Sequence, residues 1–247
     1  MRADYRGHTS MDKLLAWAIT IVRMLTISRD GLTSAPARKK VIKQIATALQ
    51  EDGLIVAPIA HGYAFIANGR SEFAMSRIKE IKGIDPQTPL VRLVANYEQV
   101  ESLCGALTSE QIRLLERHWP GPLIAERETL PHLRYSFGSR KLPDSIFFTQ
   151  AAHPLLVGAC KEVGPLAFSP IMVEGVTQPD RTVLADLKDL PESIAEYCQL
   201  AIEGDNSWTQ AKSTLISLPG VDVVIIKIGE ISEAAIREIV PRARFES

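Results

Sequence analysis

The chain has 247 residues, 46% of them hydrophobic, enough to bury a full core and to exclude a disordered polymer. Lys plus Arg number 28 against 29 Asp plus Glu, a formal charge of -1, which excludes a strong whole-molecule attraction to nucleic acid or anionic membrane but leaves room for a local basic patch. Cys104, Cys160 and Cys198 are far apart, odd in number and set in apolar segments, the usage of reduced thiols in a cytoplasmic core and not of a disulfide frame or zinc site.

The first expected element is a helix in the apolar stretch 14–27, LLAWAITIVRMLTI. Arg23 interrupts it well below the roughly 18 apolar residues of a membrane span, and no small-residue cleavage site follows. It reads as a packed or partner-facing helix, which makes a homo-oligomer through this helix the first partner expectation, with no membrane. TSAPARKK, 33–40, reads as a linker because of its Pro and small polar residues. The chain therefore divides into an N-terminal helical extension with its linker, 1–35, and a main domain, 36–247.

The main domain alternates. VIKQIATALQEDG puts Val41, Ile45, Ala48 and Leu49 on one helical face and stops at Gly53, and LIVAPI follows as a short apolar strand. Ser71 opens a helix that carries Ala74, Ile78 and Ile81 on one side and ends at Gly83. PLVRLVA is a strand. Asn96 with Gln99, and Thr108 with Gln111, are capping-box signatures. A later helix runs from Pro154 to Gly164, PLAFS and CQLAI are strands, STLISLPGVDVVIIK is a hairpin around Pro219-Gly220, and Ser232 caps the last helix. Strands alternating with helices, plus one antiparallel hairpin, predict an α/β domain with a mixed sheet covered by helices.

ERHWPGPLI, 116–124, is a corner. Ile112, Leu115 and Trp119 share a helical face; Pro120 cannot continue the ladder, Gly121 permits a sharp turn, and Pro122 biases the chain toward extended backbone. It offers no nucleophile, ligand or charge, so its role is architectural. The histidines lack metal-ligand spacing, and there is no glycine-rich dinucleotide fingerprint, Walker lysine or nucleophile elbow.

LVANYEQVESL followed by ERHWPGPLI closely resembles the YrdC-like family, which includes threonylcarbamoyl-AMP synthases and YciO-type proteins; VAPIAHGYAF, AMSRIKEIKG, HPLLVGAC, GPLAFSPIMVEG, STLISL and IIKIGEIS extend the match from about Val41 to Val240. The resemblance implies a twisted mixed sheet with flanking helices and one concave face. It also implies a site there for ATP, bicarbonate and threonine, which the family's synthases join into threonylcarbamoyl-AMP for tRNA modification at adenosine 37. Nucleic acid, including double-stranded RNA, is associated with the same face. An attack on the α-phosphate brings several negative charges together, so cations and hydroxyl or amide donors are needed.

The chain departs from that pattern. The family's Pro-Thr-Asp/Glu-Thr segment is Pro58, Ile59, Ala60, His61, with Tyr63 kept two residues on. Of the Lys-x-Arg pair Lys82 remains and Ile84 replaces the arginine; a later basic position is Thr88, and the arginine of a central strand falls at Thr149. The Ser-x-Asn element is Pro170, Ile171, Met172, preceded by Ser169 and followed by a retained Gly175. Ser213 and Thr214 match the family's Ser-Thr with Lys212 in place of proline, and Lys227 replaces an arginine.

At about 1.5–3 kcal/mol for each hydrogen bond to a charged group, two lost arginines and a lost Ser-Asn pair remove on the order of 5–10 kcal/mol, or several powers of ten in rate. Three readings follow. In the first, a divergent member binds nucleotide or RNA in the groove without turnover, with ATP or AMP as ligand class and His61, Tyr63, Lys82, Ser169, Lys212, Ser213, Thr214 and Lys227 as contacts. In the second, an active synthase uses Lys82, Lys212 and Lys227 for charge, with Mg2+ required only in that case. In the third, an interaction protein has its old pocket filled by Ile59, Ile84, Ile171 and Met172.

Overall fold

The computed structural model describes residues 24–28, 32–131, 145–174, 181–209 and 211–246. In chain order the strands are β1 (Leu25–Ile27), β2 (Leu54–Ile59), β3 (Gly62–Asn68), β4 (Val91–Val94), β5 (Leu123–Glu128), β6 (Ser145–Gln150), β7 (Leu166–Pro170), β8 (Met172–Glu174), β9 (Arg181–Val183), β10 (Cys198–Ile202), β11 (Thr214–Ser217), β12 (Val224–Lys227) and β13 (Arg244–Phe245). The α-helices are α1 (Ala35–Gln50), α2 (Glu72–Lys82), α3 (Tyr97–Cys104), α4 (Ser109–His118), α5 (Pro154–Val163), α6 (Glu192–Ala195) and α7 (Glu233–Ile239).

Eleven strands form one mixed sheet in the order β1-β10-β2-β3-β7-β4-β6-β5-β11-β12-β13, while β8 and β9 make a separate ribbon. The β2–β3 hairpin pairs Val56 with Phe65 and Pro58 with Tyr63, and β3 continues antiparallel onto β7, Phe65 opposite Ser169. Across the middle, Leu166 faces Leu93 and Leu93 faces Thr149. This is the mixed α/β sheet that the alternating pattern predicts.

Three apolar clusters hold the layers together. On one face α1 and α5 pack Ile45, Leu49, Leu156 and Ala159, none more than 1% exposed, against Ile55, Ala64 and Ile66; each such aliphatic side chain contributes about 1.5–3 kcal/mol by leaving water. On the opposite face α2 covers Val56, Phe65 and Ala167 with Ala74 and Ile78. At the far side of the sheet α3, α4 and α7 cover Leu123, Ala125, Phe148 and Ile216. Along β5 and β6 the other alternate residues, Ile124, Glu126 and Phe147, are only half-buried, as is Leu215 on β11. That stretch is the sheet's open face among the described residues.

The corner behaves as its residues require. Trp119 is 8% exposed, meets Phe148 edge to face with centroids 5.9 Å apart, and donates its Nε1 hydrogen to Leu123 O at 2.8 Å. Thr108 and Gln111 form the full capping box. Asn96 accepts from Gln99 N, but the Gln99 side chain bonds Ala95 N and Cys160 O instead of closing a box, and so ties α3 to α5.

Two expectations are corrected. Ala35–Lys40 is not a linker but the start of α1, capped by Ser34, whose Oγ accepts from Ala37 N; Pro36 falls in the first turn, where its missing N–H costs no helical bond. The α1 helix thus runs across the boundary drawn at residue 35. Leu25–Ile27 is not helical either: it pairs parallel with Leu200–Ile202 and joins the sheet as an edge strand, burying Ile27. The rest of the expected N-terminal helix, 14–23, lies outside the described residues, as does Gly175.

Candidate functional site

Lys82 ends α2. Two basic residues in the last turn, Lys79 and Lys82, suit the negative end of the helix dipole, and Gly83 at φ 61° supplies the left-handed backbone that terminates it. The Lys82 ammonium donates to Ser169 Oγ and to Pro170 O, both at 2.6 Å, so two of the candidates come together at the C-terminal end of β7. Burial holds the Lys82 pKa below the ordinary lysine value. Its partners are neutral oxygens; no carboxylate among the described residues offsets the charge.

The next residues are core. Ile171 is 0% exposed, donates its N–H to Tyr63 O and accepts from Leu184 N, as a packing residue does. Ile84 packs partly buried into the same cluster and Ile59 into the cluster across the sheet, while Met172 stays 36% exposed. Thr149, expected at the position of a family arginine, is a buried hydroxyl on β6. Thr88 closes an exposed turn onto Asp85 O.

Tyr63 is 1% exposed and makes an edge-to-face contact with Trp208, centroids 5.3 Å apart. Its hydroxyl accepts from Gly204 N at 2.9 Å and lies 3.5 Å from Asn206 Oδ1. Burial raises its pKa above the ordinary tyrosine value. The ring is enclosed and is not a platform for a base. His61 stands at the β2–β3 turn with Nδ1 3.0 Å from Thr209 O; since the carbonyl can only accept, that nitrogen carries the hydrogen. Thr209 N in turn donates to Ala60 O. His61 and Tyr63 thus share one closure, the 204–209 segment folded over the hairpin.

The remaining candidates gather elsewhere. Thr214 is fully buried, and its hydroxyl donates to Ile231 O and accepts from Gly229 N and Ile231 N, at 2.9–3.1 Å. It holds the 228–231 turn and has no capacity left for a phosphate. Ser213 is half-buried beside it; Lys212 is exposed, with its carbonyl accepting from Glu230 N; Lys227 is exposed at the end of β12, opposite Leu215. A Cβ on Gly229 would meet Lys212 O at 2.2 Å, so this turn and the Lys212-Ser213 backbone fit only because that position is glycine.

The register separates the two groups. Strands β7 and β11 run in the same direction, yet Ser169 lies at the C-terminal end of its strand and Thr214 at the N-terminal start of its own. They are also four strand positions apart in the sheet, at about 4.8 Å per step. Lys82, bonded to Ser169 on the face that α2 covers, and Lys227, opposite Leu215 on the half-buried face, therefore lie at opposite ends of the strands and on opposite faces of the sheet.

Two further residues, with structural bonds of their own, are not among the sequence candidates. Arg92, the lone cation in an apolar strand, is 5% exposed, donates to Gly69 O and Leu90 O, and is lowered by burial to a pKa of about 10. Trp208 anchors the 204–209 segment by donating to Ala185 O at 2.7 Å; an aromatic residue in the polar run EGDNSWTQAK is the one signal that pointed to it.

Comparison with known proteins agrees with this architecture. A model of the Sua5, YciO and YrdC family, described as "Telomere recombination", matches residues 47–229. A Mycobacterium tuberculosis protein named putative threonylcarbamoyl-AMP synthase is 23% identical over 202 residues, 82% of this chain and 90% of that one. Among solved structures, P. abyssi Sua5 superposes with a TM-score of 0.71 at 23% identity over 90% of this chain, which spans 65% of the P. abyssi chain. E. coli YciO gives 0.63 at 18% identity, over 83% of this chain and 95% of that one. The chain belongs to the Sua5/YciO/YrdC family and has that family's fold.

Proposed function

We propose that this chain is a non-synthase member of its family that binds a nucleotide such as AMP or ATP at Lys82, where α2 ends against β7. The observation that carries the reading is the Lys82 ammonium, desolvated and held by two neutral oxygens without a carboxylate. A cation in that condition is costly, and an anionic ligand supplies the missing counter-charge. The absence of turnover is supported by the spacing of charge: Lys82 stands at one end of the strands and Lys212 and Lys227 at the other, an arrangement unlike the convergent clamp that in-line displacement on one triphosphate uses.

A second reading, an active synthase, is favoured by one observation, that a relative matched over 90% of its length carries the name "Putative threonylcarbamoyl-AMP synthase". One experiment separates them. Purified protein is mixed with ATP, threonine and bicarbonate, and pyrophosphate release is followed beside thermal melting with AMP and ATP. A nucleotide-dependent rise in Tm that Lys82→Ala abolishes, without pyrophosphate release, supports the binding reading. Release that needs both threonine and bicarbonate establishes the synthase instead.

A further inference from the structure

At the β1 edge of the sheet an apolar side chain is left in the open: Leu25, the first residue of β1, is 53% exposed. It forms the floor of a groove of about 470 Å³ beside α1, together with Leu200 of β10 and Ala48. Lys40 of α1 lines one end of this groove and Glu51, the residue that caps α1, lines the other, both exposed. The two charges are separated along the helix axis by about 16 Å. Helix α1 turns into β2 through residues 51–53, and β2, β10 and β1 are mutually parallel, so the Glu51 end lies where those strands begin. A cover that fits must be apolar along its middle, acidic at the Lys40 end and basic at the Glu51 end.

The stretch of chain that leads into β1 has that pattern. LLAWAITIV, 14–22, is apolar on every side of a helix except at Thr20, a composition that requires burial. Asp12 stands before it and Arg23 after it, with the same sequence separation as Lys40 and Glu51. Arg23 adjoins the start of β1 and so belongs at the Glu51 end. A helix that packs on the sheet and then feeds β1 runs antiparallel to the strand, as α1 does to β2, and therefore parallel to α1. Laid side by side, the two helices bring Arg23 level with Glu51 and Asp12 level with Lys40. Opposite charges then meet at both ends, and the apolar stretch lies over Leu25, Ala48 and Leu200. A bilayer does not suit this stretch, which as a helix spans about 14 Å against a hydrocarbon core of roughly 30 Å.

From this we infer that the α1 groove is a docking site for residues 12–22 of the same chain, held as a helix parallel to α1. The contact is intramolecular, stands apart from the Lys82 site, and takes the place of self-association through this segment. Thr47 is exposed on the groove wall midway between Lys40 and Glu51 and serves as the anchor for a test. Four full-length variants combine Thr47→Cys with Ala16→Cys, Trp17→Cys, Ala18→Cys or Ile19→Cys, which together sample every side of one helical turn. The native thiols are buried and stay out of the reaction. On mild oxidation of dilute protein at least one variant should form a disulfide within the chain, because facing positions on adjacent helices come within bridging distance. It is read as a faster monomer band on a non-reducing gel, reversed by reduction and assigned by peptide mass spectrometry. In that variant Arg23→Glu should slow the cross-link about two- to five-fold, the effect of one exposed ion pair, and Glu51→Arg added to it should restore the rate. Absence of the disulfide in all four variants overturns the proposal. So does a disulfide that joins two chains, which would make a second copy the occupant.

Discussion

Lys82 Nζ and Ser169 Oγ, 87 residues apart in sequence, meet at 2.6 Å where α2 ends against β7. The contact gives the ammonium a hydroxyl partner but no opposite charge, and its consequences can be measured without any ligand.

Because burial lowers the Lys82 pKa in the folded chain, the unfolded chain binds more protons in the interval between that lowered value and the ordinary 10.5. Stability should therefore rise with pH through that interval as the folded-state ammonium is lost. Lys82→Met removes the group from both states, so its denaturation curves, taken from pH 8 to 11, should lack this component; identical pH dependence in the two proteins would refute it. Lys79, shifted in the same direction, remains in both and cancels.

Tyr63→Phe should cost about 1–2 kcal/mol, since Gly204 N loses its acceptor while the ring stays packed. Trp208→Ala removes the edge-to-face contact and the bond to Ala185 O and should cost about 1–3 kcal/mol. As the two residues touch, urea denaturation of the double variant should give less than the sum of the single costs. Strict additivity would show that the 204–209 closure does not act as a unit.

Thr214→Val keeps the shape but strands Ile231 O, Gly229 N and Ile231 N, so a loss of about 2–4 kcal/mol is expected. Thr214→Ser keeps the hydroxyl and should retain most of that stability. Nucleotide binding should survive in both; a Val variant of normal stability with lost binding would return this hydroxyl to the ligand.

The thiols of Cys104, Cys160 and Cys198 are buried, and burial pushes each pKa up to about 12. At pH 8 the native protein should show almost no reaction with a thiol-specific disulfide reagent, and three equivalents should react after unfolding. Rapid native reaction would mean that these core regions open easily.

Much of the fold was legible in local chemistry. Thr108 with Gln111 fixes a helix start, Gly83 a helix stop, and Trp119-Pro120-Gly121-Pro122 a corner, because each acts on backbone within a few residues. The same locality explains the errors: Pro36 ends a helix or begins one depending on where the cap falls, and Leu25–Ile27 is a strand only because Leu200–Ile202 pairs with it. For the site, the sequence by itself determined which charges are present, Lys82, Lys212 and Lys227 among them. Only the tertiary structure decided what they can do. Strand register sets Lys82 and Lys227 at opposite ends of the strands, burial encloses Tyr63, and the 228–231 turn saturates Thr214; partners distant along the chain choose those distances, and no residue type encodes them.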